Sequence, residues 1–481
     1  MYNSIIFFKV DRNLNSKEIA LKTKNFIDKY AQADFFLNIN KYLNNIFDVP
    51  TKIISFEIKQ ILIRNFIFSK GVFKNNFKFY HIFFDCIIFF FLIFFSLLFK
   101  SKVTQKKFNI IFDEIEFESH DFLYKQFCKL FTTSVFLTKN KKIRRNAIYE
   151  WDLICNYDSL ANKRFKLLLI FIRLLFYSFR YRVNFFLIYN SILFKFIKYE
   201  SIFKQIISKF LFQYRFYTTS AIKNYIFKKN GGTLTCCIQK NICEFSISYF
   251  INIDIFFTLG KKTAKFVNKL GSSIKFIVPV GSLFMETRWH RAHKDLSRVP
   301  LSDILVIGLN YAHAFDRMFI DKIHYDNYYK FIYWIKKISI EFPNLNIIVK
   351  HHDNYIGDEK EKEILKDSDV KLIYNSKSIN KTYAYAFKSK LIISFGSTMI
   401  LETLSINKNS YFIDPQLKNY SFFSSIGNSN LLRINSFNKL KKIVYQSTTF
   451  YSKFNFIKQK DFFCYNSQEV SKKIFKYLKN L

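Results

Sequence analysis

The stretch LIISFGSTMILETLSINKNSYFIDP, Leu391–Pro415, decides how the rest of the chain is read. Leu391–Phe395 is a short, almost wholly apolar run, the pattern of a strand buried on both faces. Gly396-Ser397-Thr398 interrupts it, and Met399–Leu404 continues with mostly good helix formers, so Ser397 or Thr398 is a natural N-cap. A strand, Gly-Ser-Thr and a helix in that order aim free backbone N–H groups and the positive helix end at an anion, most often a phosphate. Glu402 falls about one helical turn further on, too far in to cap the helix. A carboxylate repels a phosphate, which leaves a sugar hydroxyl as its expected partner. Ser410–Ile413 is a second strand ending at Asp414-Pro415.

Moving outward, Asn346–Lys350 (NIIVK) is another buried-strand run, and it ends in Lys350-His351-His352-Asp353. Between the two runs lie a helical stretch (Asp358–Lys366), a strand (Val370–Tyr374) and a second helical stretch (Ser378–Lys388). The order βαβαβ implies parallel strands with right-handed crossovers. Both motifs then sit at carboxyl ends of parallel strands, where open α/β sheets bind ligands. Two histidines, a lysine and a Gly-Ser-Thr turn make a cationic, donor-rich crevice suited to a diphosphate. Asp367-Ser368-Asp369 precedes its strand, falls at the opposite sheet edge, and reads as a turn.

A strand ending in Lys-x-His, an Ala-containing helix and a hydrophobic strand running into Ser-Thr with Glu and Leu following resembles the C-terminal half of GT-B-type enzymes of bacterial surface polysaccharide synthesis. Capsule and O-antigen glycosyltransferases and the glycerophosphotransferases of teichoic acid synthesis share the layout. The resemblance covers roughly Ile253 to Lys442. It implies a nucleotide-activated donor whose phosphates are held by His352 and Ser397-Thr398, with Glu402 where a carboxylate often meets the ribose. Lys350, His351 and Gly396 complete the expected donor-binding set. Asp353 replaces the usual proline after the His, and His351 is additional.

The chain has 481 residues, enough for two or three domains with sizeable cores. Only 10 residues are Gly and 5 are Pro, which argues against long flexible linkers. The 63 Phe and 30 Tyr, with abundant Lys, Ile and Asn, point to an A- and T-rich coding bias that itself inflates the net charge of +39. A basic surface attracts anionic lipid or nucleic acid, but no nucleic-acid-binding motif accompanies the charge, so nucleic acid is not an expected partner. Cys86, Cys128, Cys155, Cys236, Cys237, Cys243 and Cys464 include no Cys-x-x-Cys pair and read as buried thiols in a reducing compartment. No N-terminal signal peptide is visible, since Asp11 and Arg12 follow a very short apolar run.

Near the start, Ser16–Tyr30 reads as an amphipathic helix and Val49-Pro50 as a break. Ile82–Phe99 is the strongest hydrophobic segment, with Asp85 as its one charge. About 18 residues is the lower limit for crossing a bilayer, so it is either a span or an interfacial or buried helix. Lys74 and Lys78 precede it, and the larger cluster Lys100, Lys102, Lys106 and Lys107 after it favours a cytoplasmic C-terminal side. Phe165–Phe179, with Lys166 and Arg173 inside it, reads as an interfacial or core helix.

Phe108–Phe112 opens an α/β domain, with Asp113 and Glu114 at its carboxyl end and Val135–Thr138 as a second strand. An inverting transfer needs a general base, usually from this domain in the family, and Asp113 and Glu114 are candidates by position; solvated acids at a strand end are the other reading. Tyr177–Lys229 reads as helices dense in Phe, Tyr, Arg and Lys. Gly231–Gln239 is a turn and a strand that resembles the family's strand ending in Gln-His-Gly, with Lys240-Asn241 in place of His-Gly. A βαβ unit follows (Ile253–Leu259, Lys261–Leu270, Ile274–Val280). Trp289–His293 reads as a solvated basic connector that matches no metal-site spacing. Asp303–Leu309 opens the last domain, with Asn310, Tyr311 and His313 after it, and Ser467–Leu481 is a basic terminal helix.

The sequence thus predicts an α/β chain of two Rossmann-like domains facing a cleft, behind an N-terminal helical, membrane-associated segment: 1–105 helical, 106–299 acceptor domain, 300–481 donor domain. The implied activity is glycosyl transfer from a nucleotide-sugar to a polysaccharide or lipid-linked acceptor at the cytoplasmic face of the inner membrane. A CDP-polyol phosphotransferase or a non-catalytic membrane scaffold of the same fold are the alternatives, with a nucleotide-sugar epimerase disfavoured because such enzymes usually lack an apolar anchor. No metal and no obligate cofactor is expected, the nucleotide-sugar being substrate.

Overall fold

The computed structural model describes residues 7–9, 16–68, 72–74, 79–95, 104–115, 127–143, 146–214, 219–240, 251–261, 271–308, 322–351, 359–374, 379–416, 432–449 and 463–481. The chain forms two compact units. The first comprises Met1–Ile238, Phe245–Phe257 and Val267–Ile277, and the second Gln239–Glu244, Thr258–Phe266 and Val278–Leu481.

In the first unit β1 (Phe7–Lys9) and β2 (Val72–Lys74) pair antiparallel. Helices α1 (Ser16–Ala31), α2 (Asp34–Phe47), α3 (Thr51–Phe68) and α4 (Phe79–Phe94) occupy the N-terminal region. The sheet follows: β3 (Lys106–Ile115), β4 (Ser134–Thr138), β5 (Ala147–Tyr149), β6 (Ile206–Gln213), β7 (Leu234–Ile238), β8 (Asn252–Thr258) and β9 (Ser273–Pro279). Between β5 and β6 lie α5 (Glu150–Cys155), α6 (Arg164–Tyr181) and α7 (Phe186–Gln205), and between β6 and β7 lies α8 (Ala221–Lys229). The spatial order is β5-β4-β3-β6-β7-β8-β9, with β3, β4, β5, β6, β7 and β8 joined by parallel pairings. Counted in chain order that is 3-2-1-4-5-6-7, the doubly wound plan with an added edge strand.

One expectation changes here. Ile206–Gln213, read as part of a helical stretch, is the strand beside β3. It was hidden because α7 runs into it with no Gly or Pro between; Ile206, the residue after the helix, is already extended at φ −132° and ψ 137°. Within the apolar segment at 82–99, α4 ends at Phe94. Ile82, Phe89, Leu92 and Ile93 are buried, and α4 packs against α6 and α7. Among the described residues no helix is long and apolar enough to cross a membrane; residues 96–99 lie outside them.

The second unit begins with α9 (Leu283–Asp295), then β10 (Ser302–Ile307), α10 (Lys322–Glu341), β11 (Ile347–Lys350), α11 (Glu359–Leu365), β12 (Lys371–Ile373), α12 (Ile379–Lys388), β13 (Ser389–Ser394), α13 (Met399–Leu404), β14 (Asn409–Ile413), β15 (Arg433–Ile434), α14 (Phe437–Thr449) and α15 (Val470–Lys479). Its sheet order is β12-β11-β10-β13-β14-β15, parallel throughout. This is 3-2-1-4-5-6 again. The unbroken apolar runs have a direct cause. Ile304, Val306, Ile347, Val349, Leu391 and Ile393 enter one core layer with α10 and α14. Leu305, Ile307, Ile348 and Ile392 enter the other, with α9, α12 and α13. Alternate side chains point to opposite faces of a strand, so a sheet covered on both sides needs apolar residues at every position.

Trp289–His293 is a further correction. It belongs to α9, where Ala292 is buried and the Trp289 ring meets Phe387 with centroids 4.8 Å apart. Leu283, Met285 and Ala292 give this helix an inward side, which the surrounding Arg and His residues masked in the sequence. The described cysteines are not all buried: Cys236, Cys237 and Cys464 are, whereas Cys155 is exposed.

Candidate functional site

In a doubly wound sheet the ligand crevice opens at the carboxyl edge where the strand order reverses. In the second unit that place lies between β10 and β13. Lys350, Ile307 and Ser394 are level there, because Ile307 pairs with Lys350 on one side and with Ser394 on the other. The next residue on β10 is Gly308, whose N–H donates to Lys350 O at 3.1 Å. The next turn on β13 is fixed by Ser394, whose Oγ donates to Ile307 O at 3.0 Å and accepts from Gly396 N at 3.2 Å. The loop then presents an exposed Gly396 and half-buried Ser397 and Thr398.

The expected N-cap is divided between two residues. Thr398 occupies the cap position, at φ −55° and ψ −25°, but its side chain makes no capping bond. Ser397 Oγ accepts from Met399 N at 3.3 Å instead. Among the described residues the N–H groups of Ser397 and Thr398 have no protein acceptor. Two donors at the reversal point, beside two glycines or near-glycine openings, can receive an anion.

Lys350 and His351 flank this place from inside. Both are buried, and Lys350 Nζ donates to His351 O. His351 Nε2 lies 2.9 Å from Glu361 Oε1, and the ring stacks on Tyr374 at 5.2 Å with 6° between planes. A Cβ on Gly308 would come within 2.3 Å of that ring, so the glycine is what lets β10 end against it. His351 and Lys350 therefore support the strand ends. His352 and Asp353 lie outside the described residues, as do Asn310, Tyr311, His313, Asn241 and 262–270.

Glu402 does not face a sugar hydroxyl. Every residue of α13 is buried, and both Glu402 oxygens are taken by protein: Ser282 Oγ donates to Oε1 at 2.6 Å and Tyr383 OH to Oε2 at 2.6 Å. Burial raises its carboxyl above the ordinary value, against the pull of those two hydroxyls and of the Arg288 and Lys240 charges. Ser282 also caps α9 by accepting from Met285 N at 3.0 Å, so Glu402 ties α13, α12 and the start of α9 together. The signal was present in the sequence, since Met399–Leu404 has no polar face for a carboxylate to share. Gln239 Oε1 accepts from Leu259 N at 3.1 Å, and Lys240 sits 5.4 Å from the Phe284 ring, in the same unit.

The equivalent reversal point in the first unit lies between β3 and β6, where Asp113 pairs with Gln213. It is filled. Asp113 is buried, and Lys223 Nζ donates to its Oδ2 at 2.6 Å. Gln213 Nε2 donates to Asn224 Oδ1 at 2.7 Å, and Lys198 is paired with Glu150 beside them. Asp113 is committed to a buried ion pair and does not stand open as a base. The Glu114 side chain lies outside the description. Among the described residues no group of three or more His, Cys, Asp or Glu is arranged to hold a metal ion.

Two doubly wound parallel sheets, as the resemblance to GT-B-type enzymes implies, are thus both present. No family model matches the chain, and no curated protein matches it. Solved structures with a similar trace include the UDP-GlcNAc 2-epimerase from Neisseria meningitidis bound to UDP-GlcNAc, at 10% identity over 78% of this chain and 100% of that one, with a TM-score of 0.42. Another UDP-N-acetylglucosamine 2-epimerase gives 12%, 78%, 96% and 0.47. The wall teichoic acid polymerase TagF gives 12%, 77%, 88% and 0.41. At these values the likeness concerns the path of the chain alone.

Proposed function

We propose that the chain is a glycosyltransferase of surface polysaccharide synthesis, taking its sugar from a nucleotide-sugar whose diphosphate sits at the reversal point of the second sheet. The observation that carries this reading is the contrast between two sheets of one plan. The first closes its reversal point with Asp113 and Lys223, whereas the second has Gly308, Gly396 and two N–H donors there. Donors fixed before reaction stabilise the charge that grows on a departing nucleotide. In this reading Ser397 and Thr398 hold the phosphates with His352, Lys350 and His351 brace the edge, and the acceptor's base falls to Glu114.

The test is a thermal-shift screen against UDP, CMP, CDP, GDP and dTDP, with Thr398→Pro alongside. Proline suits φ near −65°, and among the described residues Thr398 N–H has no acceptor, so this change removes one donor while leaving the described hydrogen bonds intact. A ligand at about 100 times its Kd stabilises by about 2.7 kcal/mol. The expected result is a rise in melting temperature with one nucleotide, lost in Thr398→Pro. A rise with CDP alone turns the assignment to CDP-polyol transfer, and no rise with any nucleotide refutes a donor site.

A further inference from the structure

We propose that the outward faces of α4 and α6 form one surface that docks into the interfacial layer of an anionic lipid bilayer. Both helices carry large apolar residues on their inward and their outward sides. Their inward residues, among them Phe89 and Ile93 on α4 and Ile170 and Leu174 on α6, are buried in the first unit. Their outward residues are as apolar: Phe83, Phe84, Phe91, Phe165, Ile172 and Phe176 are each between 57% and 74% exposed. A soluble surface rarely gathers large side chains in this way.

The two stripes are continuous. A groove of about 380 Å³ runs between the helices, walled by Phe83, Ile87 and Phe90 on one side and by Phe171, Leu175 and Phe179 on the other. No charged or hydroxyl side chain lines it, so it suits a flexible hydrocarbon such as a lipid acyl chain.

Charge selects the occupant. Helix α6 carries Arg164, Lys166, Arg173 and Arg180 and no acid. Lys166 and Arg180, near its two ends, are exposed beside the apolar stripe. The one acid of α4, Asp85, accepts from Asn184 Nδ2 at 2.6 Å. Cations around an apolar face are drawn to anionic head groups while the Phe side chains enter the acyl boundary. A second copy of a chain with net charge +39 would bring like charges together on the same face. Neither helix needs to span the membrane. The surface lies within the first unit and is independent of the donor site, because vesicle binding requires no nucleotide.

The full chain, freed of detergent, is to be sedimented with vesicles of phosphatidylcholine alone and of phosphatidylcholine with phosphatidylglycerol. The expected result is binding to the anionic vesicles, weakened at least about 100-fold in Phe84→Glu/Phe176→Glu. The two side chains are exposed, so circular dichroism and melting temperature are to remain those of the wild type. Phe90→Trp serves as a reporter in the groove, and lipids brominated on the acyl chain are to quench its added fluorescence. The proposal is overturned if the wild type stays in the supernatant with both vesicles or binds both equally. Undiminished binding by the double variant, or no quenching of the Trp reporter, also overturns it. So does a dimer that the double variant dissociates in the absence of vesicle binding.

Discussion

Gly308→Ala places a methyl group 2.3 Å from Cε1 and Nδ1 of His351. Carbon atoms in contact stand about 3.5–4.0 Å apart, so the ring must give way by roughly 1.2 Å or more. It has no soft direction to move in. The ring is buried, stacked on Tyr374, and bonded to Glu361 Oε1 at 2.9 Å. Overpacking at such a position costs about 1–3 kcal/mol, and losing a buried hydrogen bond adds about 1–3 kcal/mol. The expected loss is therefore about 4 kcal/mol, taken mid-range. Urea unfolding followed by tryptophan fluorescence reads it, since Trp289 and Trp334 belong to the second unit. The decisive comparison is a cycle with His351→Ala. That change empties the space the methyl needs, so Gly308→Ala is expected to cost almost nothing in the His351→Ala background. If the two losses add within about 0.5 kcal/mol, the close approach of Gly308 to His351 is not what shapes this strand end.

Two further outcomes follow from buried carboxyls. Glu57 on α3 is enclosed; it is bonded by Lys195, by Ser220 Oγ at 2.7 Å and by Ile222 N at 3.1 Å. Glu57→Ala strands those partners and is expected to lower stability by about 3–5 kcal/mol in urea unfolding. Burial alone would raise the Glu57 carboxyl, but the Lys195 charge and the hydrogen bonds hold it below its ordinary value of 4.5. Its contribution is thus present above that value and is lost as pH falls through the folded one, so the gap between wild type and Glu57→Ala is to narrow on acidification; a gap that widens rejects the pairing. Glu402 runs the opposite way. Its folded value is raised by burial, so stability gained from its protonated form is present below the ordinary value and lost as pH rises through the folded one. Glu402→Gln keeps the shape without the titration. Its melting temperature relative to wild type is to climb as pH rises above the ordinary carboxyl value of 4.5, and a difference that stays constant would remove Glu402 from the account.

What could be read from the sequence depended on whether a residue's environment is set locally. The strands at 302–307, 347–350 and 389–394 were legible because burial on both faces demands unbroken apolar runs, and nothing distant alters that demand. Strand β6 was not, because in a chain this rich in Phe and Ile a buried strand and a buried helix carry the same letters. The surroundings of Asp113, Lys350 and His351 were hidden for another reason. Asp113 looked like an open acid at a strand end, but its partner Lys223 stands 110 residues away. Lys350 and His351 looked like cations lining a donor crevice, but Glu361 and Tyr374 draw the histidine inward. Charge in the sequence marks where polar chemistry is concentrated without marking which side of the surface it faces.

That distinction bears on how two sheets of one plan differ at their edges. Both reverse their strand order at a carboxyl edge, and both bring polar residues to it. At β3 and β6 the side chains are long and complementary, so Asp113 and Lys223 satisfy one another and exclude solvent. At β10 and β13 glycines and a short Ser-Thr turn leave backbone N–H groups that, among the described residues, no side chain reaches. A buried pair stripped of one member is strongly destabilising, which makes the first edge a structural element. An N–H group that a ligand can reach has no such dependence. Thr398→Pro should therefore change ligand affinity while sparing the fold, and Lys223→Ala should do the reverse. A nucleotide shift that survives in Thr398→Pro, together with a first-unit transition unchanged by Lys223→Ala, would separate the two edges from function altogether.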